Sequence, residues 1–143
     1  MNMGYYMNQV ECNFRIKKEN IQKAWDSLIS LFRIEEKPIK DASGSHYAWI
    51  NTNDVLNAET FEDAMCEIMW DLETSENGDI DYICFNGEKY GGDEDIILGS
   101  IAPYVEDGSY IIMQGEEGER WKWKFTNGKV EEINGHFVFD DEE

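Results

Sequence analysis

Residues 119–133 read ERWKWKFTNGKVEEI, and this stretch decides the fold class. Trp121, Trp123 and Phe125 alternate with Arg120, Lys122 and Lys124, the period-two pattern of a strand with one apolar face. Asn127-Gly128 then supplies two residues that tolerate positive φ, the requirement of a type I′ hairpin turn. Working outward, Ser109–Gln114 forms the preceding strand, turning at 115–118. Lys129–Ile133 forms the next, and Asn134-Gly135 leads into a last strand, His136–Phe139. The C-terminal third therefore reads as an antiparallel meander.

Upstream, the pattern changes. Tyr5–Ile16 alternates, with Tyr6, Val10, Cys12, Phe14 and Ile16 on one face and Asn8 as an exception, so a half-buried strand is expected. Ile21, Ala24, Trp25, Leu28, Ile29 and Phe32 make one stripe at helical spacing, which predicts a helix over 19–32. A short strand follows at 45–50, then a turn at 51–57. Phe61, Ala64, Met65, Ile68, Met69 and Leu72 repeat the stripe and predict a second helix over 59–72, opened by Thr60 with Asp63 or capped by Asn57.

Asn77-Gly78 turns into a strand at 79–85, apolar on both faces and expected at the centre of the sheet. Asn86-Gly87 is expected to form a tight hairpin turn. A short helix over 94–102, with Asp93 as its cap, is limited by Pro103. The order β-α-β-α-β-β-α-β-β-β predicts an α+β fold: a mostly antiparallel sheet with two amphipathic helices and one short helix on one face. A single domain over 1–139 and an acidic tail at 140–143 are expected.

The 143 residues can bury one sizeable core, and 13% aromatic content argues against a disordered acidic chain. There is no run of roughly 18 apolar residues and no basic-then-apolar leader, so neither a membrane helix nor a secretory signal is expected, and the reading is cytoplasmic. Cys12, Cys66 and Cys84 read as reduced, mostly buried thiols.

The charge is the outlier. Twelve basic residues stand against 31 acidic ones, for a net −19. Residues 1–40 sum to +2 and residues 120–143 to −2, while residues 41–119 hold Lys89 as their one cation and carry the whole −19. Such a field repels nucleic acid and anionic membranes and speeds encounter with basic proteins. It equally serves solubility.

No pattern points to an active site. His46, His136 and three scattered cysteines lack the close pairs of a zinc site, and no cofactor is expected. Glu73–Cys84 faintly resembles a calcium loop, but Cys84 stands where the bidentate Glu belongs. Nucleophile elbows and phosphate loops are missing, so a non-enzymatic protein is expected.

Two surfaces remain. One is acidic: Glu59, Glu62, Asp63, Glu67, Asp71 and Glu73 on the polar side of the second helix, then Asp93, Glu94, Asp95, Glu106 and Asp107. It fits a basic protein or nucleoprotein partner. The other is the strand Arg120, Trp121, Lys122, Trp123 and Lys124, read either as a polyanion platform or as core aromatics backed by cations that pair with Glu116, Glu117, Glu119, Glu131 and Glu132.

Met3-Gly4-Tyr5-Tyr6, Gly108-Ser109-Tyr110-Ile111 and the run from Gly115 to Trp123 (GEEGERWKW) carry a likeness. The chain resembles a group of small uncharacterised bacterial and phage-borne proteins that open with a similar strand and close with a similar tryptophan-rich hairpin. Its Met1-Asn2 extension departs from them. The resemblance brings no catalytic residue. A phage setting implies an acidic inhibitor of a host nucleic-acid-handling defence, as anti-CRISPR proteins are, or an immunity protein against a basic toxin.

Overall fold

A computed structural model describes residues 5–33, 52–90 and 94–135. The expected strands at 45–50 and 136–139, the Asp93 cap, His46, His136 and the tail at 140–143 lie outside these residues.

Strand β1 (Tyr5–Asn13) explains the Asn8 exception. Its pairing passes from Gln9↔Met113 directly to Glu11↔Ile112, so Val10 is an extra residue that switches the inward face. Met7 points inward before it, and Phe14 after it, while Tyr6 and Val10 are exposed, against the single-face expectation. Helix α1 (Lys18–Arg33) buries Ala24, Leu28 and Phe32 along the expected stripe. Its start is capped from a distance: the Lys18 N–H donates to Asp79 Oδ1 at 2.8 Å.

The expected second helix is divided. Helix α2 (Thr52–Leu56) occupies what read as a turn, and helix α3 (Phe61–Glu67) is only seven residues long. Thr60 caps α3, accepting from the Asp63 N–H at 3.0 Å. The helix stops at Ile68 and Met69, whose φ of 78° reverses the chain into strand β2 (Trp70–Thr74). Continuing the helix would have set Trp70 on the polar side among carboxylates. As a strand residue Trp70 is fully buried, 5.1 Å from the Phe85 ring and 6.1 Å from Trp123.

Strand β3 (Ile80–Phe85) pairs with β2 across a turn in which Gly78 takes φ 97°. It is not central. Strand β4 (Lys89–Tyr90), β1, β5 (Tyr110–Gly115), β6 (Arg120–Thr126) and β7 (Lys129–Asn134) form one antiparallel sheet in the order β4-β1-β5-β6-β7, and β2-β3 forms a separate ribbon. The seam between them holds one backbone bridge, Ile16↔Ile80. Further along it, the Gln9 side chain takes the place of a strand: its amide donates to Ile83 O at 2.8 Å and accepts from the Phe85 N–H at 2.9 Å. Asn86-Gly87 is likewise no hairpin turn. It carries the chain from the ribbon to β4, which pairs with β1.

The meander follows the sequence closely. Asn127 and Gly128 both have positive φ, 55° and 78°, the geometry of the type I′ turn. Helix α4 (Glu94–Ile101), ending in a 3-10 turn at Ala102–Tyr104, packs against α1 and β7, and α3 packs on β2. Ile111, Met113, Trp121, Trp123 and Phe125 line the covered face of the sheet and join helices and ribbon in one hydrophobic cluster. The fold is α+β with helices on one face of an antiparallel sheet.

Candidate functional surfaces

The acidic residues separate into those that build the fold and those that are presented. Glu94, expected on the surface, is buried at the first turn of α4, 1% exposed. Glu106 is held by Arg15 Nε at 3.4 Å and Lys17 Nζ at 4.0 Å, and Arg15 Nη1 also reaches Asp79 at 3.1 Å. Asp107 Oδ1 accepts from the Asn127 N–H at 2.6 Å and so fixes the β6–β7 turn. These three acids are structural, because local donors or burial occupy them. Asp95 is exposed, apart from the main cluster on α4.

The remaining acids gather around α2, α3 and β2. Asp71 and Glu73 lie on a strand instead of the helix face expected for them, yet they stay beside the helical acids because α3 packs on β2. Glu62 accepts from Thr74 Oγ1 at 2.9 Å, tying the two elements together. Asp71 accepts from Asn86 Nδ2 at 2.7 Å.

Between α2 and α3 an open groove of about 340 Å³ is lined by Asp54, Asn57, Ala58, Glu59, Asp63, Cys66 and Glu67. Four carboxylates line it and, among the described residues, no basic side chain does. Asp54 escaped the sequence reading because its helix read as a turn. Cys66, expected to be buried, is exposed in this lining. Desolvation first, then the Asp71 and Glu67 carboxylates, push its thiol above the usual range, so it stays neutral.

The cationic strand divides by face. Trp121 and Trp123 are buried with Phe125, so the aromatics are core. Among the described residues the cations form no ion pairs with the acids that the alternation suggested. Arg120 Nε donates to Gln114 Oε1 at 2.8 Å, and Lys122 Nζ lies 5.0 Å from the centre of the Tyr110 ring. Lys124 stands opposite Glu131 in the ladder, but no ion pair joins them among the described residues.

His46 lies outside the described residues, and Cys84 is a half-buried thiol 3.7 Å from the Phe85 carbonyl oxygen. No group of three or more His, Cys, Asp or Glu is placed to hold a metal ion among the described residues. No helix among them is long and apolar enough to cross a membrane. Comparison with protein-family models, with curated proteins and with solved structures finds no match to the chain.

Proposed function

We propose that the chain is a non-enzymatic acidic binding protein whose α2–α3–β2 surface occupies the basic groove of a nucleic-acid-handling protein and so inhibits or masks it. The observation that carries this reading is the groove lined by Asp54, Glu59, Asp63 and Glu67, with no basic side chain in its lining among the described residues. On a folded scaffold these charges hold fixed positions, which a flexible acidic tail cannot do. A cation-lined groove that normally holds phosphates would find a concentrated cluster of negative charge here. The resemblance to phage-borne proteins adds the biological setting, that of an anti-CRISPR-like or other anti-defence inhibitor acting in the bacterial cytoplasm.

The test is capture from nuclease-treated host lysate by the tagged chain, in parallel with the triple variant Glu59→Gln, Asp63→Asn, Glu67→Gln. The expected result is a basic nucleic-acid-binding protein retained by the parent chain, released by salt and lost by the variant. Charge contacts within a Debye length of roughly 8 Å at physiological ionic strength dictate that salt response. Capture that is indifferent to both salt and the triple substitution overturns the proposal.

A further inference from the structure

Among the described residues, helices and ribbon cover one face of the five-stranded sheet. Its other face bears the cations of β6 and β7 on a chain whose net charge is −19. Arg120, Lys122 and Lys124 point outward from alternate positions of β6, and Lys129 stands opposite Thr126 at the end of the same face. Alternate strand residues repeat at about 6.8 Å, so the row is evenly spaced. Beside it on β5, Tyr110 pairs with Lys124 and Ile112 with Lys122. On the same face Glu131 stands opposite Lys124 and Glu11 opposite Ile112, the Glu11 carboxylate accepting from the Tyr110 hydroxyl at 2.6 Å, so four cations share the face with two acids, and among the described residues none of the four forms an ion pair.

We propose that this outer sheet face binds a short single-stranded nucleic acid, its phosphates along Arg120, Lys122, Lys124 and Lys129 and a base against the Tyr110–Ile112 strip. Charge complementarity selects an anionic occupant. Aromatic and aliphatic surface beside a cation row suits bases, which present a π-face whatever their sequence. An acidic peptide would use the cations but gain little from the strip. The acidic groove is built by α2 and α3, which pack on α1 and β2, and salt screening with a length of roughly 8 Å at physiological ionic strength attenuates its repulsion at this face. This inference is independent of the acidic reading, and its test needs no partner protein.

The probe is a fluorescein-labelled oligo-dT or oligo-U strand, titrated with the full chain and read by fluorescence anisotropy. A saturable rise is expected at about 50 mM salt, with log K falling against log salt at a slope of about −3 if four phosphates are neutralised. Lys122→Glu with Lys124→Glu should weaken binding at least about tenfold. Arg120→Gln with Lys129→Gln, a milder change, should weaken it less, and circular dichroism confirms that each variant is folded. Lys23→Glu with Arg33→Glu on α1 controls for net charge and should bind nearly as the parent does. No saturable rise by about 100 µM chain, or equal weakening by the α1 control, overturns the proposal. Displacement by oligo-glutamate as effective as by unlabelled oligonucleotide also overturns it and reassigns the face to acidic peptides.

Discussion

Asp79 shows how one side chain joins parts of the chain that local sequence patterns treat separately. It accepts from the Lys18 N–H at the start of α1 and from Arg15, while Asn77 Oδ1 holds its own N–H at 3.0 Å. The Lys18 N–H foremost, and then the Arg15 guanidinium, hold its carboxyl below the ordinary value of 3.8. The folded state therefore favours the ionised form, and the unfolded chain binds the proton more readily. Stability from this group is present above pH 3.8 and is lost as pH falls from there through the lower folded-state pKa. Urea unfolding between about pH 3 and 5 should show a shallower acid loss for Asp79→Asn than for the parent chain; identical slopes would remove Asp79 from the acid transition. Gln9 acts at the same scale. Its amide satisfies a carbonyl and an N–H of β3 where the backbone ladder is open, and no periodicity argument reads such a role from a glutamine on a strand.

At the scale of elements, the α3–β2 junction is where the reading of residues 59–72 failed. Phe61, Ala64, Met65 and Ile68 do lie on one helical face, but the apolar run Ile68-Met69-Trp70 suits either period, and burial of Trp70 decides for the strand. The reversal falls on Met69, a non-glycine residue at φ 78°. Met69→Gly is expected to stabilise the chain by up to about 1 kcal/mol, because relief of left-handed strain outweighs the added chain entropy. Met69→Val should destabilise it by a similar or larger amount, since a β-branched residue fits that conformation worse. Chemical denaturation of the two variants measures both. An unchanged midpoint in both would mean that the reversal stores no strain.

By contrast the β5–β6–β7 meander was legible throughout, because alternation and the Asn127-Gly128 turn are both local signals. The separation of β3 from the main sheet was not legible, since both its faces are apolar and only tertiary packing distinguishes a central strand from a ribbon on the core. The acidic site was half legible. Composition and helical spacing gave Glu59, Asp63 and Glu67, but Glu94, Glu106 and Asp107 carry the same charge in other roles, and only burial and partners separate them.

Across the whole molecule, charge and stability oppose one another. The 31 acids repel within one small fold, and concentrating them around α2 and α3 raises the local cost. Glu67 is the clearest case. It is exposed at the C-terminal end of α3, where the helix dipole disfavours an anion, and it lies four residues from Asp63 on the same helix. Glu67→Gln should therefore stabilise the chain by about 0.5–1 kcal/mol at low salt. The gain should shrink as added salt screens the repulsion for which the parent chain alone retains Glu67. If the acidic surface serves binding, the same substitution should weaken the partner while strengthening the fold. Thermal unfolding and partner affinity, measured on the same preparation across a salt series, decide the matter. Opposite signs in the two measurements mean that the groove's charge is kept for recognition at the expense of stability. A stabilised variant that binds as well as its parent would mean that Glu67 contributes charge to solubility alone, and the binding surface would then have to be sought elsewhere on the molecule.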